Sequence, residues 1–335
     1  MIVAGDIGGT KTLLAIFDAE RGPREPQRQA EYRSAAYPSL DVMVAEFLHE
    51  HADGGAARPQ RGSFAVAGPV AAGRVQATNL SWPELSEDGL ASALGLEGVS
   101  LLNDLQAVAL GITVTTAAEL VTLAVGQPVP GAPIAVIAPG TGLGEAFLTR
   151  RGTTWAAHAS EGGHADFAPR DELEVDLLRF LLPRFGHVSY EQVCSGVGIP
   201  NLYDFFAQRG TGEEPAMTTA ELAGAEDRTR AIVGLGLGPR PRSTRCREVV
   251  GLFTRILGSE AGNLALKVLA TGGVYLTGGL AVAVAGELSA GPFLERLRSK
   301  GRMSSVLAEV PVHVVTAPAA LHGAAVEGLR AEGLP

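Results

Sequence analysis

The sequence has only two cysteines among its 335 residues, Cys194 and Cys246. They lie far apart in no C-x-x-C arrangement, which excludes a disulfide framework and a cysteine-based zinc site. We therefore expect a chain suited to a reducing cytoplasm. An apolar strand pattern begins directly after Met1 and leaves no room for a signal peptide, so export is not expected.

Basic residues are also few relative to acidic ones, with 27 Lys and Arg against 36 Asp and Glu and a net charge of −9. A protein with this mean charge attracts neither nucleic acid nor an anionic membrane surface. We expect neither partner. Any site for a phosphate group must therefore be local.

The chain lacks a credible membrane span. Two uncharged stretches, 120–144 and 268–286, exceed the length of a spanning helix. The first contains four prolines and the second two glycine pairs, which a spanning helix would not keep. We interpret both as buried strands with turns.

Strand patterns alternate with helical ones, and 46% of the residues are hydrophobic, so the chain is expected to be an α/β protein of two domains. Each half opens with a strand, a turn of glycine and threonine, and a second strand. The turns are Gly8-Gly9-Thr10 and Gly140-Thr141-Gly142. This predicts a duplicated α/β unit with a nucleotide between the copies.

The first turn, at residues 5–12, reads Gly-Asp-Ile-Gly-Gly-Thr-Lys-Thr and follows an apolar strand. Adjacent glycines let backbone N–H groups approach an anion, and the carboxylate of Asp6 could hold a hydrated metal ion. The pattern favours a nucleotide phosphate with Mg²⁺. A plain β-hairpin with an incidental aspartate is the alternative.

Asn103 and Asp104 follow an apolar strand at 99–102 and precede a helical pattern at 105–110. Both side chains are thus expected at the carboxyl end of a strand, where open α/β sheets bind ligands. Alternatively, one of them only caps the helix, and both interpretations can hold together.

A second polar cluster contains Glu161, His164 and Asp166 around the pair Gly162-Gly163. The glycines argue against a helix that would present both Glu161 and His164 to a metal, and no third ligand has matching spacing. The cluster suits a small polar ligand, although a polar turn over the core is an alternative.

Two further segments are less specific. Ser189 and Gln192 form a capping-box pattern that predicts a helix start, with Glu191 in the first turn. Gly278-Gly279 lies between an apolar strand and a helix, where a purine or ribose could approach the backbone, although a core strand-to-helix junction needs the same residues.

In their order, these motifs resemble the bacterial glucokinase family of the hexokinase and actin-like ATPase superfamily, the group without a zinc motif. The resemblance covers nearly the whole chain. It rests on residues 5–10, Ala-Gly-Pro-Val at 67–70, Thr78-Asn79 with Ser81-Trp82, Asn103-Asp104, Gly-Thr-Gly-Leu-Gly at 140–144, Glu-Gly-Gly-His-Ala-Asp-Phe-Ala-Pro at 161–169, Gly-His-Val-Ser at 186–189, Gly-Asn-Leu-Ala-Leu at 262–266 and Gly278-Gly279.

The resemblance implies two ribonuclease-H-like domains flanking a nucleotide and sugar cleft, with limits expected at 1–113 plus 319–335 and at 114–318. It implies ATP-dependent phosphorylation of D-glucose at the 6-hydroxyl, with Mg²⁺, in a cytoplasmic homodimer. Asp104 would be the general base. The sugar ligands would be Asn79, Asn103, Asp104, Glu161, His164 and Glu191. The phosphates would meet Gly5, Asp6, Ile7, Gly8, Gly9, Thr10 and Thr141, with Mg²⁺ held by Asp6 through water and the adenosine facing Gly278 and Gly279.

One residue departs from the pattern, because Lys11 is more typical of the repressor-related sugar kinases. That family carries a cysteine-rich zinc motif after its glycine-histidine pair, and here no cysteine follows His164 until Cys194. A broad-specificity hexose or amino-sugar kinase is the nearest alternative. A sugar-sensing regulator or an actin-like ATPase without sugar turnover is the alternative from another class.

Overall fold

The computed structural model describes residues 1–51, 58–78, 80–212, 214–238 and 241–330. The strands in these ranges are β1 (Ile2–Ile7), β2 (Lys11–Phe17), β3 (Arg28–Arg33), β4 (Arg61–Val66), β5 (Arg74–Val75), β6 (Leu85–Ser86), β7 (Gly98–Asn103), β8 (Leu120–Ala124), β9 (Ile134–Pro139), β10 (Leu143–Arg151), β11 (Thr154–Ser160), β12 (Gly273–Leu276) and β13 (Val312–Val315).

The helices are α1 (Leu40–Glu50), α2 (Glu87–Leu94), α3 (Asp104–Ile112), α4 (Glu172–Phe185), α5 (Gly198–Gln208), α6 (Ala216–Ala223), α7 (Arg228–Gly236), α8 (Thr244–Val268), α9 (Gly279–Ala283), α10 (Ala285–Ala290), α11 (Pro292–Arg298), α12 (Ser304–Ala308) and α13 (Ala319–Arg330). Among the described residues, no helix combines the length and the apolar character that a membrane span requires.

The chain forms two compact units. The first comprises Met1–Glu119, Ala146–Ala159 and Ala317–Pro335, as far as these are described, and the second comprises Leu120–Glu145 and Ser160–Thr316. The domain limits expected at residues 113 and 318 stay a prediction.

The first unit is built on a five-stranded sheet of order β3-β2-β1-β4-β7. Strands β1, β4 and β7 are parallel, whereas β2 runs antiparallel to β1 and to β3. The register pairs Asp6 with Ala65, and Ala65 with Leu102. The carboxyl ends of β1 and β7 therefore lie at one edge of the sheet, and this places Asp6 near the start of α3.

Helices α3 and α13 pack against each other in the first unit, and their contact depends on glycine. A Cβ atom on Gly323 would lie 1.7 Å from the carbonyl oxygen of Ala107, and one on Gly111 would lie 1.9 Å from that of Ala319. Both distances are far below any real contact. The two backbones can therefore approach this closely only where both side chains are absent.

In the second unit, β9, β12 and β13 are parallel neighbours and β8 pairs antiparallel with β13. The 25-residue helix α8 provides much of the core, with Phe253, Ile256 and Leu257 fully buried. It approaches α11 through Gly258, where a Cβ would lie 2.2 Å from the carbonyl oxygen of Phe293. The apolar pattern of residues 248–269 predicts a helix, and α8 confirms it with an observed start at Thr244.

Candidate functional site

The glycine turn between β1 and β2 is a tight hairpin. The Gly8 N–H donates to the carbonyl oxygen of Lys11 at 3.0 Å, and a Cβ on Gly8 would lie 2.8 Å from that oxygen. The second strand, β2, begins at Lys11, because this hydrogen bond closes the turn there. Lys11 forms an exposed ion pair with Glu31 at 2.9 Å.

Ser34 supports this turn from outside the motif. Its hydroxyl donates to the carbonyl oxygen of Gly8 at 2.6 Å and lies 3.0 Å from the hydroxyl of Thr12. Its backbone N–H donates to the carbonyl oxygen of Thr10 at 3.1 Å. Sequence reasoning missed Ser34, since only the pairing of β3 with β2 brings this fully buried side chain to the turn.

The carboxyl groups of Asp6 and Asp104 in the first unit lie close enough for their charges to interact. Burial, and secondarily the charge of Asp104, raises the pKa of Asp6 from 3.8 to about 6, while Lys11 acts in the opposite direction. Like charges in a poorly hydrated place disfavour ionisation. The arrangement therefore favours a bound cation, a proton or a metal ion, over two bare carboxylates.

Asn103 is the N-cap of α3. Its side-chain oxygen accepts from the N–H groups of Leu105 at 3.0 Å and of Gln106 at 3.3 Å, and the Gln106 side chain accepts from the Asn103 N–H. Its amide nitrogen donates to the carbonyl oxygen of Gly68 at 3.1 Å. The capping interpretation is thus confirmed for Asn103. Asp104 follows in the first helical turn, where its carboxylate also favours the helix dipole.

In the second unit, Glu161, His164 and Glu191 form one cluster. His164 lies on a 3₁₀ turn, Gly162–His164, with its Nε2 3.9 Å from Glu161 and its Nδ1 3.9 Å from Glu191. The side chain of Glu161 is 77% exposed and that of Glu191 only 25%. Among the described residues, no group of three His, Cys, Asp or Glu side chains is arranged to hold a metal ion. The cluster offers hydrogen-bonding groups to a polar ligand.

The helix predicted to start at Ser189 is wrong. Gln192 does accept from the Ser189 N–H at 2.9 Å, but the following residues form turns and the next helix, α5, starts at Gly198. Ser189 instead pairs with Asp166 in a short antiparallel bridge. This pairing between two chain segments replaces the local helix that the capping pattern favours.

Glu191 is therefore positioned by turns rather than by a helix end. Its backbone N–H donates to the carbonyl oxygen of Gly163 at 2.8 Å, and its carboxylate accepts from the Leu143 N–H at 3.0 Å. A Cβ on Gly142 would lie 2.3 Å from the same carboxylate. The Gly140-Thr141-Gly142 turn and the 161–164 turn thus share Glu191 as a fixed neighbour.

A cavity of about 890 Å³ opens beside Gly140 and Thr141 in the second unit. Gly279 and Leu280 line it from one side, and Val233 and Leu237 from another. Gly278 has a φ of 90° and lies against Pro139, where a Cβ would be 3.0 Å from the carbonyl oxygen. The cavity combines apolar walls with backbone groups of two glycine turns.

Sequence reasoning missed the contribution of α7 to this cavity. The hydroxyl of Thr229 donates to the carbonyl oxygen of Gly196 at 2.6 Å, and the Gly196 N–H donates to the carbonyl oxygen of Gly140 at 2.8 Å. These two hydrogen bonds hold α7 beside the Gly140-Thr141-Gly142 turn. No local motif marks α7, and only its apolar residues at helical spacing indicate a buried face.

Of the predicted site residues, Asn79 lies outside the described part of the chain. Its neighbour Thr78 donates through its hydroxyl to the carbonyl oxygen of Ala67 at 3.0 Å. Trp82, from the same motif, is buried and donates to the carbonyl oxygen of Tyr37 at 2.7 Å. These contacts attach the flanking motif residues to the first unit.

The chain is similar to known proteins over nearly its whole length. The family model described as glucokinase matches residues 3–330. A glucokinase of Nostoc sp. is 39% identical over 326 residues, covering 94% of each chain, and one of Nostoc punctiforme is 38% identical over 330 residues, covering 95% of each. The crystal structure of a glucokinase from an Antarctic psychrotroph is 32% identical, with a TM-score of 0.80 and 98% of both chains covered. This likeness confirms the predicted fold class.

Proposed function

The chain belongs to the glucokinase family, and on that premise we propose that it transfers the γ-phosphoryl group of ATP to the 6-hydroxyl of D-glucose, with Asp104 as general base. The family resemblance inferred from the motifs is confirmed. The observation that supports the role of Asp104 is its place at the start of α3 beside the partly buried carboxyl of Asp6.

In this proposal Asp104 accepts the proton of the 6-hydroxyl as that oxygen attacks the phosphorus. Phosphoryl transfer passes through a loose transition state in which little covalent chemistry is required of the protein. Alignment of the attacking oxygen is therefore the larger contribution, and proton acceptance adds to it.

Asp6 fits a magnesium site. Mg²⁺ takes oxygen ligands, keeps several waters and is held by one or two carboxylates together with substrate phosphates. The raised pKa of Asp6 beside Asp104 indicates that a cation would stabilise the ionised pair. When bound, Mg²⁺ neutralises charge on the phosphate oxygens. We propose that Asp6 holds it through water.

We propose that the nucleotide binds at the glycine turns. Residues 5–10 and Thr141 provide backbone N–H groups for phosphates, and Gly278 and Gly279 provide the surface for adenosine. The apolar cavity lined by Val233, Leu237 and Leu280 supports this assignment, because adenine binds between apolar side chains.

The sugar is assigned to Asn79, Asn103, Asp104, Glu161, His164 and Glu191. The exposure of Glu161 and His164 supports roles as ligands, and Asn103 retains one amide hydrogen after its bond to Gly68. Hydroxyl groups of a hexose point in fixed directions, which favours several rigidly held polar side chains over one strong ligand. A cytoplasmic homodimer is part of the same proposal.

The test is turnover with Mg-ATP against glucose, mannose, fructose, glucosamine and N-acetylated sugars, with Asp104→Ala alongside. We expect turnover of glucose that the substitution abolishes. Turnover of several sugars at similar efficiency would favour the broad-specificity kinase, and ATP hydrolysis independent of sugar would contradict the proposal.

A further inference from the structure

A pair of buried glutamates lies behind the proposed sugar ligands in the second unit. Glu145 follows the 140–144 turn and is 1% exposed, and Glu260 in α8 is fully buried. Burial, and next the carboxylate of Glu260, raises the pKa of Glu145 from 4.5 to about 8, while Lys267 acts in the opposite direction. Two carboxyl groups buried together cannot both ionise without a large cost.

The two members of the pair have different surroundings. Glu260 accepts from the amide of Asn263 at 2.8 Å and lies 3.5 Å from the ammonium of Lys267. Neither oxygen of Glu145 has a donor among the described residues. A proton on Glu145 would supply one hydrogen bond between the two groups, since the resulting O–H can donate to Glu260.

Glu145 is in direct contact with the turn that carries two of the proposed sugar ligands. A Cβ on Gly162 would lie 1.9 Å from its carboxylate oxygen. The carboxyl group therefore packs against the bare Cα of Gly162, between Glu161 and His164. Any movement of this carboxyl group displaces that turn.

Glu260 is connected to Glu191, the third proposed sugar ligand of the second unit, through Asn263. The amide of Asn263 donates to Glu260 and lies 3.0 Å from the hydroxyl of Tyr190, the residue before Glu191. The Tyr190 N–H in turn donates to the carbonyl oxygen of Ala165 at 3.0 Å. The glutamate pair is thus connected to both segments of the sugar cluster.

We propose that Glu145 and Glu260 share one proton and that this protonated pair is a positioning element, which sets the distance between the 161–164 turn and Glu191 for sugar binding. The proposal rests on the function proposed above. Loss of the proton places two negative charges side by side, so the pair separates and pushes on Gly162. Sugar affinity then falls, whereas phosphoryl transfer from the bound complex is affected less.

Other ionisable groups surround the pair. Lys267 faces it from α8. Tyr190 and Cys194 face it from the 188–194 segment, and burial is the main cause that raises the pKa of these two groups. Lys300 donates to Asn263 and to the carbonyl oxygen of Ser259. Burial lowers the pKa of Lys300 to about 8, so its deprotonation falls in the same pH range. A test must therefore separate Glu145 from Lys300.

The experiment compares the wild-type protein with Glu145→Gln, whose amide can donate to Glu260 at every pH. With a pKa near 8, the KM for glucose in the wild type should rise about tenfold between pH 7 and pH 9, with a smaller change in kcat. Glu145→Gln should hold KM constant over this range. Glu260→Gln is the second variant, with the same expectation.

Glu174→Gln is the matched control. Glu174 is also a fully buried glutamate of the second unit, but it lies 3.3 Å from the guanidinium of Arg296, and its carboxylate accepts from the Arg170 N–H at 2.8 Å. It should keep the wild-type rise in KM. The same rise in Glu145→Gln would assign the effect to another group such as Lys300 and overturn the proposal.

Infrared difference spectra between pH 7 and pH 9.5 supply a readout that needs no catalysis. The wild type should lose a protonated-carboxyl band that Glu145→Gln lacks. If that band is present but no sugar is phosphorylated, the proposed function fails while the shared proton stands. If glucose is phosphorylated but the band is absent, the inference about the pair fails alone.

Discussion

The hydroxyl of Ser34 donates a 2.6 Å hydrogen bond to the carbonyl oxygen of Gly8, which fixes the glycine turn from a neighbouring strand. A glycine turn has many accessible conformations, and a phosphate site requires one of them. The buried Ser34 provides that restriction and connects the edge strand β3 to the proposed phosphate site.

Ser34→Ala should therefore impair ATP binding. Removing the hydroxyl leaves the Gly8 carbonyl and the Thr12 hydroxyl with one partner fewer, at a cost of about 1–3 kcal/mol in unfolding free energy. We expect a several-fold rise in KM for ATP with a smaller effect on KM for glucose, measured by steady-state kinetics. Ser39→Ala is the control, because Ser39 precedes α1 without a side-chain capping bond. Equal effects of both substitutions would argue against a specific role of Ser34.

Asp104→Asn should lower kcat by about 10²–10⁴, the usual contribution of a general base. The amide keeps the size of the side chain, so KM for glucose should change by less than about threefold. Asp88→Asn is the control variant and should leave kcat unchanged, since Asp88 also lies in the first turn of a helix of the same unit. A proposed base whose loss leaves kcat unchanged would have to be reassigned.

Asp6 makes the metal-free protein less stable as the pH rises. Its folded-state pKa of about 6 lies above the unfolded value of 3.8, so its stabilising contribution is complete below pH 3.8 and is lost as the pH rises toward 6. Asp6→Asn should therefore be more stable than the wild type by about 1–3 kcal/mol at pH 8 and no more stable near pH 3.5.

Thermal unfolding at the two pH values measures this difference. Added Mg-ATP should raise the melting temperature of the wild type and have little effect on Asp6→Asn, because the substitution removes the proposed metal ligand. A variant that responds to Mg-ATP as strongly as the wild type would show that Asp6 holds no metal.

Gly323→Ala should destabilise the first unit strongly. The added methyl group would lie 1.7 Å from the carbonyl oxygen of Ala107, so α13 and α3 must separate, at a cost of about 3 kcal/mol or more. Gly251→Ala in α8 adds the same methyl group to a helix where nothing lies within 4 Å. It should be neutral or stabilising by up to about 1 kcal/mol. Urea denaturation of the two variants makes the comparison.

Local chemistry explains why some of the site could be predicted from the sequence. Asp6 lies near the carboxyl end of β1 and Asp104 comes directly after β7, and parallel strands bring their carboxyl ends together. Asn103 and Gln106 form a capping box, so the residues that mark this helix start lie three positions apart in the sequence. The apolar patterns of residues 40–51, 173–182 and 248–269 predict the helices α1, α4 and α8 for the same reason, since each pattern lies within a single segment.

The missed features depend on segments distant in the sequence. Ser34 reaches Gly8 only through strand pairing, and α7 reaches the Gly140 turn only through Gly196. At Ser189 the local signal was misleading, because pairing with Asp166 replaced the helix. The Glu145 and Glu260 pair gave no signal, as each glutamate alone is compatible with an exposed position.

The contact between α3 and α13 also constrains the order of folding. In a growing polypeptide α3 is made early, whereas α13 emerges only after the second unit has been made. Until then α3 exposes the apolar surface and the bare glycine that α13 covers. The second unit can therefore complete its core on the ribosome first, and the nascent first unit depends longest on protection from aggregation.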